Sequence, residues 1–154
     1  WEKGFFPAKP SDQPEWVKEV GFGRQSVAIT LENCYDDWCM SILAKELNKE
    51  EDYQYYLKRA LNYQNVFDTA TGFMRPKTAD GRWIEPFDPI WSGGQGRREF
   101  YTENNGWNYT WYVPHDVEGL IGLMGGREKF TDKLQTMFET NVPLYQKYDF
   151  LKQF

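Results

Sequence analysis

Residues 26–65 read SVAITLENCYDDWCMSILAKELNKEEDYQYYLKRALNYQN, and two helical patterns follow one another within them. In the first, apolar side chains recur every three or four residues, which is the period of one helix face. They are Val27, Leu31, Cys34, Tyr35, Trp38 and Ile42. Ser26 is the predicted N-cap, because its hydroxyl can accept a hydrogen bond from a free amide of the first turn. The helix is predicted to run to about Leu47 and to end at Asn48.

A second helix is predicted from about Glu50 to Asn65. Its apolar face consists of Tyr53, Tyr56, Leu57, Ala60 and Leu61. Three acidic residues, 50–52, lie in its first turn, where the helix dipole favours negative charge. Since only a short link joins the two helices, they must run antiparallel. The sequence therefore predicts a helical hairpin over residues 26–65.

The flanking segments have different patterns. Residues 1–25 contain three prolines without a sustained period and are predicted to be an irregular connection. Residues 66–102 are interrupted by Gly and Pro throughout, and a loop of that length in a compact protein is usually functional or disordered. Its many apolar residues favour an ordered, functional loop. Helical signals return over residues 103–140. The predicted fold class is all-α, made of antiparallel hairpins with one long Gly/Pro-rich loop.

The composition of the chain excludes several classes of protein. The 154 residues suit a single domain, and 11 Phe, 10 Tyr and 7 Trp exclude a disordered chain. No apolar run approaches the roughly 20 residues of a membrane-spanning helix. A net charge of −5, without a basic stripe, argues against nucleic acid as a partner. The chain begins at Trp1 without Met or a signal peptide, so we expect it to be a piece of a longer polypeptide.

The aromatic residues are concentrated between Phe73 and Tyr112, among carboxylates and amides. Two interpretations remain open. The first is a core rich in large rings. The second is a carbohydrate site, because Trp and Tyr stack on the apolar faces of sugars while carboxylates, amides and Arg bind their hydroxyls.

Two residues within or beside this region are candidates for chemistry. His115 is the single histidine, so neither a catalytic triad nor a histidine metal cluster can be assembled from this chain alone. It is more typical of a hydrogen-bonded structural residue. Glu103 lies among rings and amides, where burial would raise the pKa of its carboxyl group and keep it protonated, as a general acid requires. The alternative is a glutamate stabilised by the dipole at the start of a helix.

One motif resembles a known family. Residues 101–116 read Tyr-Thr-Glu-Asn-Asn-Gly-Trp-Asn-Tyr-Thr-Trp-Tyr-Val-Pro-His-Asp. This segment is similar to the signature of glycoside hydrolase family 92, the calcium-dependent α-mannosidases, and the similarity continues to Gly126. Five upstream segments resemble the family in the same order: 34–38 (CYDDW), 63–68 (YQNVFD), 71–76 (TGFMRP), 80–81 (DG) and 86–89 (PFDP).

The resemblance implies that the chain is part of an (α/α)6 barrel. It implies an inverting, exo-acting α-mannosidase that hydrolyses terminal α-mannosyl linkages, with α-1,2 as the favoured linkage. Glu103 takes the position of the general acid, and residues 66–102 become an active-site loop. Trp107 and Arg75 are candidates for substrate binding.

Other parts of such an enzyme are expected outside these residues. The catalytic base and the calcium ligands fall beyond residue 154, so the chain alone is expected to be inactive. Its partners would be mannose-containing glycans and the remainder of its own polypeptide. The resemblance further implies secretion or a periplasmic location.

Two departures from the family pattern bear on specificity. Asn104 replaces the usual Gly after the acid, and Asn108 replaces a Gln. If position 104 has a positive φ, Asn is among the least costly substitutes for Gly. Three alternatives remain: a non-catalytic carbohydrate-binding helical module, an interaction protein of stacked hairpins, and an (α/α)6 hydrolase with another sugar specificity.

Overall fold

Two antiparallel helices, α1 (Ser26–Glu46) and α2 (Glu50–Ala60), dominate the computed structural model, which describes residues 2–10, 12–19, 21–90 and 100–139. They confirm the predicted hairpin. Asn48 has a φ of 55°, a left-handed conformation that stops α1, as expected from its sequence position. The second helix departs from the prediction, because after Ala60 it tightens into a 3₁₀ helix, Leu61–Val66.

The remaining described elements are short. Strands β1 (Trp16–Val17) and β2 (Phe22–Gly23) form one antiparallel pair, and β3 (Phe67–Asp68) and β4 (Phe73–Met74) form another. Helices α3 (Gly106–Tyr109), α4 (Val117–Leu123) and α5 (Arg127–Glu139) follow. About half of the described residues are therefore helical, and the all-α expectation omitted two small strand pairs. None of the helices in the described ranges is long and apolar enough to cross a membrane.

The start of α1 is capped differently from the prediction. The residue at the N-cap is Gln25, in a left-handed conformation with a φ of 50°. Ser26 is buried instead, and its hydroxyl has no hydrogen-bond partner among the described residues. The amides of Val27 and Ala28 donate to the Phe100 carbonyl at 3.0 and 3.2 Å. The end of the predicted loop is thus attached to the start of α1.

The buried face of α1 also differs from the predicted stripe. Val27, Leu31 and Cys34 are fully buried, but Ile42 is 41% exposed. The buried face continues instead through small and polar residues, Asp37, Ser41 and Ala44. A hydrophobicity pattern misses these positions, because close packing of two helices favours small side chains, and Asp37 is buried only with an ionic partner on α2. That partner is Arg59, whose guanidinium lies 2.9 Å from the Asp37 carboxylate.

The core lies where the first half of α1 meets the 3₁₀ helix, the β3–β4 pair, residues 100–101 and α4. Its fully buried members include Val27, Leu31, Cys34, Tyr63, Val66, Met74, Ile84, Tyr101 and Val113. The predicted loop contributes to it and is not irregular throughout, since it contains β3, β4 and an isolated bridge between Lys77 and Trp83. Residues 91–99 of that loop, and residue 140 of the last predicted helix, lie outside the described residues.

Two glycines of α4 provide a matched pair for testing the packing. A Cβ at Gly119 would overlap the Asp116 carboxylate and the Tyr63 hydroxyl, whereas a Cβ at Gly122 would meet nothing within 4 Å. Gly119→Ala is expected to lower the free energy of unfolding by about 1–3 kcal/mol, the usual cost of overpacking. Gly122→Ala is expected to raise it by about 0.5–1 kcal/mol, because Ala loses less backbone entropy in a helix. Urea titrations of both variants check this, and a loss in Gly122→Ala equal to that in Gly119→Ala would contradict it.

Candidate active site

Each of the residues 100–102 is hydrogen-bonded to a distant part of the chain. The Phe100 carbonyl binds the first turn of α1, as described above. The Tyr101 side chain is buried, and its hydroxyl donates to the Met74 carbonyl at 2.6 Å. The Thr102 hydroxyl donates to Oε1 of Gln25 at 2.8 Å. The residue before Glu103 is therefore tied directly to the N-cap of α1.

The residues after Glu103 are held as well. The Asn105 side chain caps α3 by accepting from the amides of Trp107 and Asn108 at 3.0 and 3.3 Å. The amide of Gly106 donates to the Pro89 carbonyl at 2.9 Å. Glu103 therefore lies before α3 and outside its first turn, so it is not the dipole-stabilised helix residue of the alternative interpretation.

Glu103 itself has a left-handed backbone, with a φ of 49°. Non-glycine residues rarely adopt this conformation, and such strain persists where the surrounding structure determines it. Asn104 would replace Gly at low cost if a positive φ occurred at position 104. The structure places it one residue earlier, so Asn104 occupies the usual Gly position without needing a left-handed backbone.

The Glu103 side chain is exposed. The expectation that rings and amides of this chain bury its carboxyl group is wrong for this structure. The short segment that carries Glu103 is anchored on both sides, yet the carboxylate faces solvent.

Arg75 is buried in a network of charges. Its guanidinium donates to Asp68 at 2.7 Å, to Glu85 at 2.6 Å and to the Ile84 carbonyl at 3.0 Å, and it lies 4.4 Å from the Phe87 ring centroid. Although burial acts to raise the pKa of Asp68, the hydrogen bonds from Arg75, the Ala70 amide and Thr71 hold it below its ordinary value. These contacts make Arg75 a structural residue of the loop, and its sugar-binding role stays a prediction.

Trp107 is half-buried beside α5. Its ring meets Phe73 edge to face, with centroids 4.8 Å apart. The ammonium group of Lys133 lies 3.4 Å from the Phe73 centroid and 4.8 Å from that of Trp107. Burial lowers the pKa of Lys133 to about 8. Since a ring and a cation already contact the indole, a stacking role for Trp107 towards sugar remains a prediction.

His115 and Asp116 connect the motif to the hairpin. Nε2 of His115 lies 3.0 Å from the Ala60 carbonyl, so it carries the proton that this hydrogen bond requires. The Asp116 carboxylate caps α4 by accepting from the Gly119 amide at 3.0 Å, and it accepts from the Tyr63 hydroxyl at 2.8 Å. The hydrogen bond expected of His115 is confirmed, and its structural role stays a prediction.

Two site features had no clear signal in the sequence. The bond between Gln25 and Thr102 joins residues 77 positions apart, and the Lys133 contacts join α5 to β4 and α3. The pair of Asp68 and Arg75 could be predicted in part from the sequence, because Asp68 begins a turn that is closed by a hydrogen bond from the Gly72 amide. Within the described ranges, no group of three or more His, Cys, Asp or Glu residues is arranged to hold a metal ion.

Comparison with known proteins identifies the relatives of this chain. The model of the glycosyl hydrolase family 92 catalytic domain matches residues 1–152. An uncharacterized secreted glycosidase of Arthroderma benhamiae is 32% identical over 90% of this chain and 20% of its own length.

Solved structures of family GH92 enzymes are also similar to this chain. The family GH92 α-mannosidase BT3965 from Bacteroides thetaiotaomicron superimposes with a TM-score of 0.74 at 37% identity, over 92% of this chain and 16% of that one. Its complex with mannoimidazole gives a TM-score of 0.75, also at 37% identity, over 92% of this chain and 17% of the other. The inverting mannosidase BT2199 from B. thetaiotaomicron VPI-5482 gives 0.71 at 35% identity, over 86% and 16% of the two chains.

The fold and these relatives place the chain among the glycoside hydrolases. It belongs to glycosyl hydrolase family 92, whose catalytic-domain model it matches over nearly its whole length. The chain spans one fifth or less of the length of each relative described above.

Proposed function

We propose that this chain is the general-acid segment of an inverting, exo-acting α-mannosidase that hydrolyses terminal α-mannosyl linkages, with α-1,2 as the favoured linkage. The observation that carries this proposal is the position of Glu103. It is an exposed carboxylate with a left-handed backbone, fixed on both sides by hydrogen bonds, within a motif of the family to which the chain belongs.

In the proposed reaction, Glu103 donates its proton to the glycosidic oxygen as the bond to the leaving group breaks. Inversion requires a second carboxylate on the opposite face of the sugar ring, about 6.5–9.5 Å from the acid, to activate the attacking water. We propose that this base is an aspartate outside the present chain. The named activity of BT2199, an inverting mannosidase, supports inversion here.

We propose that the chain acts together with the remainder of a longer polypeptide, as one part of an (α/α)6 barrel. The C-terminal end of α1 supports this, because large apolar side chains there and just after the helix are exposed. They are Met40 at 42%, Ile42 at 41%, Leu43 at 51% and Leu47 at 60%. Exposed apolar side chains that lie close together commonly mark a contact surface. Further helices of the enzyme would bury these side chains, and groups near Glu103 would be supplied in the same way.

Calcium belongs to the proposal as a cofactor of the complete enzyme. Among the described residues, no group of three or more His, Cys, Asp or Glu residues could hold a metal ion, so we assign no ligand in this chain and no step to the ion. Secretion or a periplasmic location is proposed on the basis of the secreted fungal relative.

The proposal is tested with a full-length enzyme containing this segment. We expect hydrolysis of nitrophenyl α-mannoside and of α-1,2-linked mannobiose, with β-mannose as the first product in time-resolved proton NMR. The 154-residue chain alone is expected to hydrolyse neither substrate. Turnover by the isolated chain would contradict the proposal that the catalytic base lies outside this chain. α-Mannose as first product would contradict inversion, and a preference for another glycoside would indicate a different sugar specificity.

A further inference from the structure

We propose that Gln25 and Thr102 are positioning residues for the general acid, and that the hydrogen bond between them orients Glu103 towards the glycosidic oxygen. This inference rests on the proposed function, since it assigns Glu103 the acid role. It adds a specific physical link between the first turn of α1 and the acid, a link between residues far apart in the sequence.

The contact between Thr102 and Gln25 acts on the backbone next to Glu103. Thr102 immediately precedes Glu103, and its hydroxyl donates to Oε1 of Gln25 at 2.8 Å. Thr102 is β-branched, which leaves few side-chain rotamers. A hydrogen bond to its hydroxyl therefore restricts the backbone at residue 102 as well, and with it the starting direction of residue 103.

Thr102 has a second contact, through its backbone carbonyl. The Tyr109 hydroxyl lies 3.5 Å from the Thr102 carbonyl and 3.3 Å from the Glu32 carboxylate, so one donor is shared between α1 and the acid segment. Burial, together with the negative charge of Glu32, raises the pKa of Tyr109, which keeps its hydroxyl protonated as a donor. The Gln25 contact, at 2.8 Å, is the shorter of the two to Thr102.

The backbone is left-handed on both sides of this contact. Gln25 and Glu103 both have a left-handed backbone, with φ values of 50° and 49°, and the Gln25–Thr102 bond lies between them. Each such conformation costs free energy for a non-glycine residue and persists only where contacts determine it. Gln25 is neutral, so it holds Thr102 without placing another negative charge beside the acid.

The test uses the full-length enzyme and two matched substitutions. Gln25→Leu removes the acceptor with little change in size, and Thr102→Val removes the donor while keeping the β-branched shape. For each variant, kcat/KM is measured on methyl α-mannoside, a poor leaving group, and on dinitrophenyl α-mannoside, which needs little protonation. Gln54→Leu, the same substitution on the exposed face of α2, is the control.

A general acid contributes about 10²–10⁴-fold, so misorienting it should cost part of that factor. We expect about a tenfold loss on the methyl mannoside and less than about a threefold loss on the dinitrophenyl mannoside. The double variant should lose no more than either single variant, since both remove the same bond. Thr102→Ser should recover most of the loss of Thr102→Val, because it restores the donor.

Equal losses on both substrates would overturn the proposal, since a merely structural defect has no preference for leaving group. Additive losses in the double variant would overturn it as well. A separate result bears on the proposed function: if Glu103→Gln leaves the methyl mannoside rate unchanged, Glu103 is not the acid. The two failures are therefore distinguishable.

Discussion

Replacing Glu103 by Gln in a full-length enzyme should lower kcat/KM on methyl α-mannoside by about 10²–10⁴-fold, the usual contribution of a general acid. Gln keeps the size and the polarity of the side chain but has no proton to donate. A substrate whose leaving group departs as a stable anion needs little protonation, so dinitrophenyl α-mannoside should lose much less. Steady-state kinetics on the two substrates measure the difference.

The matched control is Glu118→Gln, which removes an exposed carboxylate of α4 that pairs with Arg127 at the surface. It should leave both rates unchanged. An equal loss on the two substrates in Glu103→Gln would contradict the acid role, because the loss would then arise from binding or folding. Far-ultraviolet circular dichroism of each variant shows whether its helices are intact.

Replacing Arg75 by Met should lower the free energy of unfolding by about 3–5 kcal/mol, the cost of removing one partner of a buried ion pair. The side chains of Arg75 and Asp68 are only 5% and 7% exposed, and their charged atoms lie 2.7 Å apart. Without the guanidinium, Asp68 remains buried and the Ile84 carbonyl loses its donor. Urea unfolding of the 154-residue chain gives the measurement.

Arg127→Met is the control for this prediction. The pair of Arg127 with Glu118 has a similar distance of 2.7 Å, but the two side chains are 71% and 75% exposed. Its removal should cost less than about 1 kcal/mol, because water screens exposed charges. If Arg75→Met left stability unchanged and raised only the KM for mannosides, Arg75 would be a substrate ligand rather than part of the loop's structure.

The helices could be predicted because their signals are local. The spacing of Val27, Leu31 and Cys34 defines the inner face of α1, and Asn48 stops that helix with a left-handed backbone. The second half of α1 could not be predicted in the same way. There the inner face depends on Asp37, whose burial is possible only because Arg59 of α2 lies opposite.

The candidate site, like the helices, could be predicted only where its signals are local. The motif around Glu103 was sufficient to predict the family, which the family match confirms, while the acid role of Glu103 stays a prediction. Its surroundings depend on contacts between distant parts of the chain. Neither the Gln25–Thr102 bond nor the cap that Phe100 provides for α1 has a local pattern. The exposure of Glu103 could not be read from neighbouring rings, because adjacent residues in a sequence need not pack against each other.

The most direct test is how hydrolysis by the full-length enzyme depends on the leaving group, measured as kcat/KM for a series of aryl and alkyl α-mannosides. If Glu103 protonates the departing oxygen, the wild-type rate should change little as the leaving group becomes more basic, whereas the Glu103→Gln rate should fall steeply. Parallel dependences in the two enzymes would show that the proton comes from another group, and the assignment of this segment would have to be abandoned.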